Sequence, residues 1–157
     1  MTGDNRPPGV EEWGPLPRAL YEYWAARRPE GRLPSRRDVD PIEIPLLLPN
    51  LFLVDVVREG EDLRFRYRLV GTSNVERFGV DNTGRWLDEL YGKDYFKVVG
   101  SGYQDTTIQG KPAWASMTAG YADRPHVVYQ RLLCPLATDG ETVDMLIGIT
   151  DFSEGRG

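Results

Sequence analysis

The chain has 157 residues, an apolar fraction of 40%, a charged fraction of 27% and a formal net charge of −5. This length suits a single domain that buries about 68–70% of its unfolded surface, so no disulfide or metal staple is required. The acidic balance argues against nucleic acid as a partner, and the single cysteine, Cys134, excludes both an intrachain disulfide and a CxxC metal site. No run approaches the ~18 apolar residues of a membrane span, and without an apolar leader core a cytoplasmic location is expected.

Residues 1–15 are polar and rich in Pro and Gly, which predicts a disordered lead-in. Pro17 suits the first turn of a helix. Leu16, Leu20, Tyr23, Trp24 and Arg27 then recur at helical spacing along one face. That face either covers a sheet or offers Leu20, Tyr23 and Trp24 to a partner. Pro29 and Gly31 end it. Residues 33–41 carry dense charge without periodicity. Asp40–Pro41–Ile42–Glu43 reads as a cap, a Pro at N1 and a Glu at N3, opening a turn that Pro45 keeps short.

Residues 51–57 are apolar except for Asp55, the composition of a strand covered on both faces. Glu59–Gly60–Glu61–Asp62 supplies a hairpin turn. The next run, 63–70, alternates: Leu63, Phe65, Tyr67 and Leu69 share one face, and Arg64, Arg66 and Arg68 share the other. Ser73–Asn74–Val75–Glu76 has the form of a capping box for a short helix that stops at Gly79. A further short helix is expected from near Thr83, carrying Trp86, Leu87 and Leu90, and a long one over 94–109 capped by Asp94. Gly100 and Gly102 thin the long helix, either to let it approach the sheet or to mark a bend. Three strands follow, over 113–121, 126–136 and 142–152, the last two joined through Asp139–Gly140. This ββ–ααα–βββ order predicts an α+β fold, one antiparallel sheet with helices gathered on one face and room for a small cavity between them.

Reactive groups are scarce. His126 is the only histidine and sits at a strand start with no partner imidazole. Cys134 lies in an apolar run and reads as a small hydrophobe. Asp38 and Asp40 beside Arg36 and Arg37 suit caps and ion pairs. No phosphate loop, nucleophile elbow or zinc-protease motif is present. No catalytic residue and no metal ligand is assigned, and the chain reads as a non-enzyme.

Arginines and aromatics remain. Arg66, Arg68 and Arg131 fall in strands expected to be partly buried, where a charge is costly without compensation. Either Asp55 or Asp144 neutralises them, or one faces the cavity and awaits an anionic ligand that its planar fork would hold. Trp86, Phe96, Tyr103, Trp114 and Tyr129 come from elements expected to face each other. Ordinary core packing explains such residues, and so does the lining of a ligand cavity. The candidate ligand site is therefore Arg68, Trp86, Phe96, Tyr103, Trp114, Tyr129 and Arg131.

The segments at 20–24, 33–41 (LPSRRDVDP), 65–72 (FRYRLVGT) and 129–136 (YQRLLCPL) together resemble a PAS domain over residues 16–152, in particular a bacterial family of small stand-alone PAS-like proteins. The resemblance implies strand order 2-1-5-4-3, an N-terminal helix on one face and the PAS helices on the other. It also implies sensing or signal transduction through a small-molecule ligand, a signalling partner or a homodimer. The flavin-binding branch carries an Asn-Cys-Arg-Phe-Leu helix motif and the haem branch a helix histidine. Neither is found here, so both cofactors are disfavoured and the ligand is left unknown. A second reading is a solid-core module for homodimerisation or protein interaction. A third, a small α+β isomerase or hydrolase, lacks an acid/base pair.

Overall fold

A computed structural model of the chain describes residues 9–119 and 124–152, with the side chains at 93–98, 119 and 124–126 outside the description. Helix α1 (Pro15–Ala26) leads through three short 3-10 turns to the hairpin β1 (Leu51–Glu59) and β2 (Asp62–Val70). Helices α2 (Thr72–Phe78) and α3 (Leu87–Gln109) come next, then β3 (Ala113–Ala119), β4 (Arg124–Leu136) and β5 (Met145–Asp151). The strands form one antiparallel sheet of order β2-β1-β5-β4-β3, the order expected from the resemblance. The central position of β1, between β2 and β5, explains its near-continuous apolar sequence: Leu51, Phe52, Leu53 and Val54 are all buried.

Alternation divides the sheet into two faces. One packs against α1, where Leu20 and Trp24 are buried and the Trp24 indole donates to the Pro135 carbonyl at 2.8 Å. The start of α1 has no side-chain cap of its own. The sheet caps it instead: Gly14 N donates to Gln130 Oε1 at 2.6 Å and Leu16 N to Asp151 Oδ2 at 3.2 Å. Residues 9–14 are thus not the loose lead-in expected. Val10–Glu12 form a 3-10 turn and Trp13, buried, stacks on Trp114 at 6.1 Å, because one large apolar ring outweighs the polar composition around it.

The other face carries α2 and α3. Here β2 departs from simple alternation. A bulge skips Arg68 between the Leu53–Leu69 and Val54–Tyr67 pairs. Leu63, Phe65 and Tyr67 keep the expected face, but Leu69 turns outward to exposure and Val70 turns inward. Asp55 receives both neighbouring arginines, Arg68 at 2.8 Å and Arg66 at 3.5 Å, so these two are neutralised within the sheet. Asp144 takes no part in that, and its carboxylate accepts the Thr138 N–H.

Helix α2 starts one residue before the expected box, with Gly71 as its N-cap, and ends at Gly79 (φ 83°) as expected. The segment before α3 is not helical from Thr83. It adds instead to the outer edge of β2, with Gly84 N donating to Tyr67 O at 2.7 Å and Tyr67 N to Arg85 O at 3.0 Å. Helix α3 is broken at Gly92 (φ 69°), which separates a first turn carrying Leu90 and Tyr91 from the long segment. Gly102 lies directly on the sheet: a Cβ there would stand 2.2 Å from Arg131 Nη2. Of the two roles open to the helix glycines, close approach holds at Gly102.

The charged loop at 33–41 is explained by capping. Ser35 and Asp38 form a reciprocal capping box, and Asp40 Oδ1 accepts from Ile42 N at 3.0 Å.

Candidate functional site

A cavity of about 180 Å³ lies between the sheet and the α2–α3 layer. Its floor comes from Phe52 of β1, Tyr67 and Val70 of β2, Tyr129 and Arg131 of β4 and Thr150 of β5. Asn74 and Phe78 of α2, Val80 and Asn82 of the following loop, and Leu90, Tyr91, Val99 and Tyr103 of α3 complete it. Val80 is half-exposed and marks the mouth. Among the described residues, none that lines the cavity is an acid, a histidine, a lysine or a cysteine.

The walls are held by specific contacts. Asn74, buried at the foot of α2, donates to the Asn50 and Leu51 carbonyls at 3.1 and 3.2 Å, while its carbonyl oxygen accepts from the Thr150 hydroxyl. This ties α2 to the start of β1 and to β5. Phe78, Tyr129 and Phe152 form a ring cluster with centroids 5.4 to 5.8 Å apart at one end. Phe65 packs on Tyr103 at 5.6 Å, and the Tyr67 and Tyr91 hydroxyls share a hydrogen bond across the sheet–helix gap. Burial pushes the Tyr103 phenol well above its ordinary pKa, Tyr67 adds to the shift and Arg131 opposes it. The hydroxyl therefore keeps its proton throughout the working pH range.

The first turn of α3 is fixed by Arg64. Its guanidinium makes a two-pronged contact to Asp88 at 2.8 and 3.0 Å and lies 4.0 Å from the Trp86 ring centroid. The Arg64 hydrogen bond holds the Asp88 carboxyl below the usual carboxylate range, against partial burial. A depressed folded pKa stabilises the fold above the unfolded value of about 3.9, and that contribution is lost as pH falls through the lower folded value. The Tm deficit of Asp88→Asn should therefore be steady from about pH 7 to about pH 5 and close below about pH 4. A deficit that persists unchanged in thermal melts at about pH 3 would contradict this role for the ion pair.

Of the seven residues expected at a ligand site, the cavity brings together Tyr103, Tyr129 and Arg131. Arg68 lies outside it, drawn to Asp55 by the bulge. Trp86 lies at the outer edge of β2 beneath Arg64 and Arg66. Trp114 pairs with Leu132 and so occupies the α1 face, where its indole donates to Gln130 Oε1 at 3.2 Å. The side chains of Phe96 and His126 lie outside the described residues. Leu20 and Trp24 are buried against the sheet and present no surface to a partner, while Tyr23 donates to Glu43 at 2.8 Å and sits under Arg27.

Phe52, Asn74 and Tyr91 were not expected at the site. Asn74 had one signal, an amide side chain inside an otherwise amphipathic short helix. Cys134 shares the α1 face with Leu132, away from the cavity, and burial raises its thiol pKa well above the ordinary value. Among the described residues no group of three His, Cys, Asp or Glu side chains gathers as a metal site, and no helix is long and apolar enough to cross a membrane.

No curated protein matches the chain by sequence. Among solved structures it is similar to a Rhodobacter sphaeroides LOV protein, with a TM-score of 0.51 at 14% identity over 76% of this chain and 71% of that one. It is also similar to a light-oxygen-voltage domain studied with a flavin analogue, at a TM-score of 0.49 and 13% identity over 72% of this chain and 84% of that one. An RNA-binding light-oxygen-voltage receptor gives 0.46 at 14% identity, covering 80% and 37%. At 14% identity the likeness to the Rhodobacter sphaeroides protein is one of fold. A family model described as PAS domain matches residues 15–151. That span runs from the start of α1 to the end of β5, and the chain belongs to the PAS domain family.

Proposed function

We propose that this chain is a sensory domain that binds a small molecule in the cavity between sheet and helices and passes occupancy to a partner chain. The carrying observation is the cavity itself, walled by four of the five strands and by both helices of the α2–α3 layer. Leu90 and Tyr91 precede the break at Gly92, and Val99 and Tyr103 follow it. A ligand touching both segments favours one arrangement of α3 over others, and differential affinity of that kind is what shifts a conformational population. Among the described residues the lining offers shape and hydrogen bonds with no acid, histidine, lysine or cysteine, which supports binding over turnover. A sensory role also fits PAS family membership.

Thermal melts of the full chain against a panel of small acids, amides, alcohols and aromatic compounds test this reading. A true ligand at a hundred times its Kd adds about 2.7 kcal/mol, which raises the Tm of a domain this size by roughly 5–10 °C. A Tm that no compound moves at millimolar concentration would overturn it.

A further inference from the structure

We propose that the cavity takes a small organic monocarboxylate with a compact apolar body, its carboxylate set against Arg131. This deepens the cavity-binding reading above and rests on it.

Arg131 is 5% exposed, on the cavity wall. Its Nη1 donates to the Val99 carbonyl at 3.2 Å, its guanidinium carbon lies 5.0 Å from the Tyr103 ring centroid, and its Nε has no hydrogen-bond partner. The strand arginines of β2 all have carboxylates: Arg64 has Asp88, and Arg66 and Arg68 share Asp55. Among the described residues, Arg131 has none within ion-pair distance. A buried cation without a counter-charge is costly, yet the fold makes room for it. Gly102, a residue that weakens a helix, leaves the space into which Arg131 Nη2 fits.

The rest of the lining defines the ligand. Among the described residues the walls hold no Asp or Glu to repel an anion, and their one cation, Arg131, balances a single negative charge. The planar guanidinium suits a carboxylate. The Tyr103 hydroxyl, kept protonated by burial, stands beside it as a hydrogen-bonding group. Phe52, Phe78, Val70 and Leu90 surround the remaining volume with apolar surface. A cavity of about 150 Å³ holds a benzene molecule, so about 180 Å³ admits a body of benzoate size.

Calorimetric titration of the full chain with benzoate, phenylacetate and isovalerate, each beside its amide, tests the proposal. At least one acid is expected to bind about tenfold or more tightly than its amide, the scale of a charge-assisted hydrogen bond. Arg131→Gln should lower that acid to the level of its amide, and inorganic phosphate should not displace it. Amides that bind as tightly as the acids would overturn the carboxylate and leave the cavity reading standing. So would phosphate displacing the acid at lower concentration. Failure of every acid and amide, with toluene and benzyl alcohol failing as well, would overturn both readings. If Arg131→Gln does not fold, the acid–amide difference in the unmutated chain decides alone.

Discussion

Gly71→Ala is expected to destabilise the fold by about 3 kcal/mol, the upper end of the range for overpacking. Gly71 joins β2 to α2 and donates its N–H to the Leu51 carbonyl at 2.8 Å. A Cβ there would stand 2.4 Å from Pro49 O, 2.6 Å from Leu48 O and 2.7 Å from Leu51 O. All three are main-chain atoms, so no side chain can swing aside to relieve the contact. The φ of −66° is ordinary for any residue, which makes the penalty purely steric. Gly60→Ala is the matching control. Its φ of 62° brings torsional strain of about 1 kcal/mol, with nothing within 4 Å of the added carbon. Urea denaturation should show a much lower midpoint for Gly71→Ala than for Gly60→Ala at similar slope. Equal midpoints would mean that the β2–α2 junction is looser than described.

Trp24→Ala is expected to cost about 3–5 kcal/mol, a large part of the roughly 5–15 kcal/mol that holds a domain of this kind together. The indole is buried between α1 and the sheet, packs on Tyr21 at 6.0 Å and donates to the Pro135 carbonyl. Removing it leaves a void and takes the donor away from that carbonyl. Trp24→Phe separates the two effects, because it retains most of the apolar contact and loses a hydrogen bond of about 1 kcal/mol. Chemical denaturation of both variants should order them wild type, Phe, Ala. Alanine behaving like phenylalanine would show that α1 is not seated on the sheet by this ring. The cavity lies on the opposite face, so ligand response should survive in the folded fraction of either variant.

The strands and the long helix were legible because their signals are local. The alternation of Leu63, Phe65 and Tyr67, the apolar run of β1 and the Asp139–Gly140 hairpin each lie within a few residues. What went unread depends on pairing between distant segments. The bulge at Arg68 arises where β2 meets β1, and no feature of 63–70 alone reveals it, yet it sends Arg68 to Asp55 and moves Leu69 and Val70 across the sheet. Trp114 was placed with Tyr129 and Arg131 as a cavity residue, but the β3–β4 register pairs it with Leu132 and turns it toward Trp13. Trp13 is the same lesson at the N-terminus, where a polar stretch is ordered by a single ring with a distant partner. Arg131 was legible as an oddity, a cation in an apolar strand. Its separation from Arg66 and Arg68, which do find a carboxylate, needed the fold.

The most direct test of the binding site is an amide NMR titration of the full chain with the acid that binds best by calorimetry. Saturable shifts should gather at residues 52, 67, 74, 91, 103, 129 and 131, with the exposed face of α1 unmoved. Saturable shifts confined instead to α1 or to the exposed Ile42 and Leu46 would contradict a ligand site between sheet and helices.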